Sequence, residues 1–302
     1  MLLRLGVSGY GGLPLRLGLR DGNRSDRVET PLAIEECLAL GWDGVRGIVA
    51  DSKAYSRRTL GLCLEQGLGL VTFVPRTCAV RQALEAWGRQ HPALPLLVEK
   101  AGRTQHEEAR RWHGQSVLRQ VEVEYSEGRI AHETLRFVVV HASQLAQQQT
   151  QAYTAAQAKE AAAVVEHIKH VQARWFACAA DAEAAIAEYE HRGQGRRGRR
   201  PQSWRYHVVH YRVVADTRRT RRARRGRPAK TDPPPTEAGS RLAVEIEALS
   251  NSAEDNGWTV LATIVSAETC ADSEILQVYQ EQNTTVEPGF RWIKNPAAIS
   301  PV

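Results

Sequence analysis

No run of about 18 apolar residues occurs in the chain, so no stretch has the length of a membrane-crossing helix. The opening MLLRLGVSGYGG is too broken by glycine to be the apolar stretch of a signal peptide, and the sequence reads as cytoplasmic with no membrane partner. Cysteine is sparse. The five residues Cys37, Cys63, Cys78, Cys178 and Cys270 form no CxxC and no Cys/His spacing suited to zinc, which excludes a disulfide framework and a structural zinc site. They are expected to be reduced thiols, mostly buried. Several catalytic signatures are missing too: there is no GxSxG elbow, GxxxxGK loop, HExxH or GxGxxG. The pairs His167/His170 and His207/His210 read as surface or half-buried histidines, and His207 and His210, three apart on a strand, should point to opposite faces.

What the chain does have is charge, unevenly spread. Between Arg192 and Lys230 stand 15 Arg or Lys and one acid, Asp216, a net +14 within a chain of net +6. The remainder is therefore mildly acidic. Such a block points to a polyanionic partner, because phosphates bind Lys and Arg by releasing counterions. The competing reading is a solvated linker kept open by like-charge repulsion.

Along the chain, apolar-rich runs at 2–7 and 13–20 around SGYGG predict a β-hairpin. Pro31 to Leu40 has helical spacing with Gly41 as its stop. A short buried strand from about Val45 to Ala50 should deliver Asp51 at its C-terminal end. A helix from about Lys53 to Gln66 and a strand from Gly69 to Pro75 follow, a pattern that implies a mixed α/β sheet. From about residue 106 the texture changes. VLRQVEVEYSEGRIAHETLRFVVVHAS alternates like a hairpin with its turn at Glu127 and Gly128, and an Ala/Gln-rich helical stretch runs from about Leu145 to Tyr189, breaking near Cys178. Strands are expected at Trp204 to Val214, Arg241 to Leu249 and Trp258 to Val265, and a final helix starts near Ser273. No internal repeat is apparent.

Three segments, GNRSD (Gly22 to Asp26), VADSKAYS (Val49 to Ser56) and VEPGFRWIK (Val286 to Lys294), resemble the DDE transposases of bacterial insertion sequences. The last is similar to the family signature in which the catalytic Glu is followed, after six residues, by Lys; here the pair is Glu287 and Lys294. The resemblance covers nearly the whole chain and implies an α/β, ribonuclease-H-like mixed sheet, incomplete at its N-terminus and interrupted by a β-rich insertion domain with a helical segment. Its implied division is core at 1–105, insertion with basic linker at 106–258, and returning core at 259–302.

The resemblance implies metal-dependent DNA cleavage and strand transfer, with Asp51 and Glu287 as catalytic residues and ligands of two Mg²⁺ (or Mn²⁺) ions. Hard carboxylate oxygens suit those ions, which clamp the attacking and leaving oxygens of a phosphodiester. Without the resemblance Asp51 reads first as an N-cap of the helix that follows. Glu287, Arg291 and Lys294 fall at i, i+4 and i+7, which is also the pattern of an ordinary amphipathic helix. Pro288 suggests that Glu287 sits in a first turn capped by Thr285. The family often has Tyr seven and Arg four residues before the Glu; this chain has Gln280 and Asn283, with Tyr279 one step out of register. The family's first catalytic Asp lies on a strand before the opening hairpin, and Asp21, Asp26 and Asp43 all follow that hairpin. The chain is therefore expected to be truncated at both ends and inactive, with strands 2–7 and 45–50 facing a gap.

RRGRP at Arg224 to Pro228 resembles an AT-hook, with a looser relative, RRGRRP, at Arg196 to Pro201. Arg196, Arg197, Arg199, Arg200, Arg224, Arg225 and Arg227 join Arg291 and Lys294 as candidate DNA contacts, through the minor groove or to phosphates. The expected partners are double-stranded DNA (element ends and target) and a second copy in a synaptic homodimer. The rival reading is a noncatalytic DNA-binding protein acting through the arginines.

Overall fold

The computed structural model describes residues 2–7, 14–20, 26–39, 46–102, 108–191, 204–219, 236–250 and 255–293. In chain order the elements are β1 (Leu2–Val7), β2 (Pro14–Arg20), α1 (Asp26–Ala39), β3 (Gly47–Ala50), α2 (Arg57–Glu65), β4 (Gly69–Phe73), α3 (Ala79–Gln90), β5 (Leu96–Lys100), β6 (Arg110–Glu124), β7 (Ile130–Ala142), α4 (Ser143–Ala173), α5 (Ala179–His191), β8 (His207–Arg219), β9 (Thr236–Ala248), β10 (Trp258–Thr263) and α6 (Asp272–Ile293), with a 3₁₀ turn at Ser52–Ala54. They form two compact units, residues 1–147 with 254–302, and residues 148–253. Among the described residues no helix is long and apolar enough to cross a membrane.

The first unit is mixed α/β. Its six-stranded mixed sheet has the order β3-β4-β10-β7-β6-β5, with β3 and β4 parallel and every other pair antiparallel. Strand alternation divides the core into two layers. Phe137, Val139, Val260 and Ala262 face a cluster completed by Ile34, Leu60, Cys63 and Leu84 of α1, α2 and α3. Val138, Val140 and Leu261 face the other side, where Ile275 and Leu276 of α6 cover them. Helices on both faces explain why β7 and β10 read as continuous apolar runs. Close approach is built in at Gly61, where an added Cβ would lie 2.1 Å from the carbonyl oxygen of Glu124 on β6.

The second unit packs α4 and α5 against the antiparallel β8–β9 pair. Val171, Phe176, Ala182, Ala185, Tyr189 and Leu242 are its buried core. Phe176 and Ser240 exchange main-chain hydrogen bonds of 2.9 Å, fixing the link between the helices to β9.

Several expectations are corrected here. The alternating hairpin near residue 117 does not open a separate module: β6 and β7 are strands of the main sheet, and the second unit begins within α4 instead. Alternation reveals which face of a strand is buried but not which strand lies beside it. Among the described residues the first two strands pair with each other alone and β3, an edge strand, pairs with β4 alone, an arrangement in keeping with the unpaired edges expected at 2–7 and 45–50. The C-terminal helix is continuous from Asp272 to Ile293, so position 287 lies deep within it and not in a first turn capped by Thr285. Pro288 therefore falls in a helix interior, where it has no main-chain N–H to donate. The cysteines are free as expected, yet only Cys63 is buried; Cys178 is exposed and the other three are half-buried.

Candidate functional site

Asp51 follows β3 directly, at the C-terminal end of a parallel strand pair. Its main-chain carbonyl accepts a 2.5 Å hydrogen bond from Thr72 Oγ1 on β4, which locks the strand end. The Lys53 N–H donates to Asp51 Oδ1 at 2.9 Å, so the carboxylate caps the 3₁₀ turn at 52–54. The next helix, α2, has its own cap: Ser56 Oγ accepts from the Thr59 N–H. The capping role of Asp51 is thus local, and the residue remains exposed.

The layer above is α6. Its first residue, Asp272, is held by Arg136 of β7 at 2.5 Å and by the Ser116 N–H of β6 at 2.8 Å. One turn later Ile275 and Leu276 are buried against the sheet. Tyr279 then lays its ring 4.1 Å from that of Phe73 on β4, and Gln280 Oε1 accepts from Lys100 Nζ at 2.6 Å. Burial, and secondarily the negative charge of Asp51, hold the Tyr279 phenol well above its ordinary range. α6 also packs against β3, the strand that leads into Asp51. Tyr279 was legible only as a residue out of register with a motif, yet its spacing from Ile275 marks it as a member of the buried stripe.

Position 287 follows Tyr279 by eight residues on the same helix, about 12 Å further along its axis at 1.5 Å per residue. The side chains of Glu287 and Arg291, and all of Lys294, lie outside the described residues. So do Arg196, Arg197, Arg199, Arg200, Arg224, Arg225 and Arg227. Among the described residues no three His, Cys, Asp or Glu side chains gather into a metal site.

In the second unit, described side chains flank the arginine-rich segments. Trp204 packs 5.6 Å from His167, which also meets Tyr189 edge-on and hydrogen-bonds Tyr211 Oη at 2.8 Å. Glu160 accepts from the N–H groups of Arg205 and Tyr206 and from His207 Nδ1. Burial alone would raise the Glu160 carboxyl, but these donors outweigh it and hold it below its usual range. His207 is buried and His210 exposed, as alternation on a strand requires. At the far end of β8, Arg218 stacks 3.6 Å over the Trp175 ring and pairs with Glu237.

Comparison with protein-family models and with curated proteins gives no match to this chain.

Proposed function

We propose that the chain derives from a DDE transposase of bacterial insertion sequences with a ribonuclease-H-like core, a family that cuts DNA strands and joins them to new sites. The observation that carries this reading is the packing of α6, the helix bearing Glu287, against β3 and β4, the parallel pair whose first strand leads into Asp51, read together with the motifs VADSKAYS and VEPGFRWIK. Strand ends and facing helices are rigid supports for a two-part site. An exposed carboxylate at such a strand end suits a hard cation, and Asp51 with Glu287 would hold Mg²⁺ or Mn²⁺, which supplies charge stabilisation at a phosphodiester. Arg291 and Lys294, one and two turns beyond Glu287, carry the positive charge that would orient the phosphate. A homodimer on paired DNA ends is part of the proposal.

Nicking of a supercoiled plasmid by purified protein tests it. The chain is expected to be inactive, so Mg²⁺-dependent nicking that disappears in both Asp51→Ala and Glu287→Gln would support the site assignment and overturn the expected inactivity. Nicking unaltered by either change sinks that assignment.

The charge distribution favours one further reading, a noncatalytic DNA-binding protein acting through the net +14 segment. It predicts binding without cleavage. Replacing Arg224, Arg225 and Arg227 together by Ala should weaken binding and flatten its salt dependence, by about 0.9 in log–log slope for each phosphate that is no longer neutralised. Unchanged affinity and slope would remove the segment from consideration.

A further inference from the structure

β3 and β5 are the two edges of the six-stranded sheet, yet both pack against the one helix α6. Five strand spacings of about 4.8 Å would set those edges roughly 24 Å apart in a flat sheet. A helix is about 10–12 Å across. The sheet is therefore curled round α6. Because β4 is parallel to β3 and every further pair is antiparallel, β3 and β5 run the same way and end at the same rim.

That rim carries opposite charges on the two flanks of the helix. The parallel register pairs Ala50 with Thr72, so Asp51 stands level with Phe73, the residue that meets Tyr279. The next residue of α6, Gln280, accepts the hydrogen bond of Lys100, the last residue of β5. Lys100 is exposed, lies 5.7 Å from the centre of the Trp112 ring and stands opposite Arg110 on β6. An amide oxygen and an indole face hold the ammonium in place without cancelling its charge. Arg110 is half-buried: Nη2 donates to the Ala101 carbonyl, and Nε is buried without a hydrogen-bond partner. Elsewhere in this unit Arg57, Arg58, Arg81, Arg89, Arg111 and Arg136 each meet a carboxylate. Among the described residues Lys100 and Arg110 meet none, since the adjacent Glu99 is engaged by Arg111.

We propose that Lys100 and Arg110 form a seat for a backbone phosphate of the DNA strand, on the flank of α6 opposite Asp51. The two cations hold its non-bridging oxygens by charge-assisted hydrogen bonds. A divalent cation on Asp51 would meet a neighbouring phosphate of the same strand. The seat rests on the metal-site reading above for its choice of ligand, and it adds to that site two residues that no motif marked. Gln280 and Trp112 are positioning residues here, because they fix where the Lys100 ammonium stands.

Acetylation of lysines in the full chain, read by mass spectrometry with and without a saturating DNA duplex, tests the seat. The reaction needs the neutral amine, which a phosphate opposite the ammonium withholds. Duplex should slow acetylation of Lys100 about tenfold, and Arg110→Gln should cut that protection to about threefold or less. Mg²⁺ should deepen the protection in the unaltered chain and leave it unchanged in Asp51→Asn. A Lys100 that merely props Gln280 would react at one rate with and without duplex. That result, or a failure to bind duplex at all, overturns the seat. So does equal protection in the unaltered chain and Arg110→Gln, the mark of passive cover by duplex held elsewhere. Protection that depends on Arg110 but on neither Mg²⁺ nor Asp51 keeps the seat and counts against the metal reading. Mg²⁺-dependent nicking with Lys100 unprotected overturns the seat and leaves the catalytic proposal standing.

Discussion

Arg136 and Asp272 form an ion pair 2.5 Å long, with the arginine side chain 5 % exposed and the aspartate 19 %, joining β7 to the first residue of α6. The guanidinium also donates to the carbonyls of Val265 and Cys270, and the second aspartate oxygen accepts from Ser116. Removing one partner strands the other charge in a poorly solvated site. Asp272→Ala should therefore cost about 3–5 kcal/mol in urea unfolding. The double change Arg136→Met with Asp272→Leu should cost less than either single change. Additive losses would show that the pair is not coupled.

Gly61→Ala tests the close approach of α2 to the sheet. Its new methyl would stand 2.1 Å from the Glu124 carbonyl, an atom of the backbone that cannot swing aside. Forced separation of the two elements should destabilise the chain by about 1–3 kcal/mol. A melting temperature equal to that of the unaltered protein would mean that the helix and β6 stand far enough apart to accept a methyl group.

Acid should loosen the two units in sequence. Burial, and to a smaller degree the neighbouring His113, hold the His141 imidazole below its ordinary value of 6.5, although its bond to the Asn256 main chain opposes them. A histidine kept neutral in the folded state costs nothing above its unfolded pKa, and stability falls as pH drops below about 6.5 toward the lowered folded value. Glu160 has the usual carboxylate sign: its contribution is present above about 4.5 and is lost as pH falls through its depressed folded value. Urea midpoints measured from about pH 7.5 to about pH 3 should decline in two stages, and His141→Gln should erase the first. A first stage that survives His141→Gln would assign it to another group.

Much of the topology near Asp51 was readable from the chain. The β-strand, Asp51, helix and second strand stand where apolar runs and breakers put them, because they form a local parallel unit. α3 was within reach, since Val80, Leu84 and Trp87 have helical spacing, but Gly88 reads as an interruption until its contact with the Trp258 ring explains it. β5 is short, follows Pro95 and carries a bulge. The TEAGS portion of β9 has turn composition and becomes strand only through pairing with β8 and the bridge to Phe176, an instance of tertiary context overriding propensity. At the site, the motif singled out Glu287, whereas the Tyr279 contact with Phe73 required knowing that α6 crosses β4.

The position of β10 governs how the chain can be made. It is flanked by β4 and β7, so it is the seam of the main sheet, yet it is translated only after everything between Ala142 and Trp258 has emerged. At about 5–20 residues per second the ribosome needs roughly 6–23 s to cross that interval. Throughout it β4 and β7 each wait with one bare, strongly apolar margin, the form most prone to mispairing with another chain. Synthesis is thus a timed hazard: nascent chains halted before residue 258 should recruit holdase chaperones heavily, and release of the seam strand should discharge them.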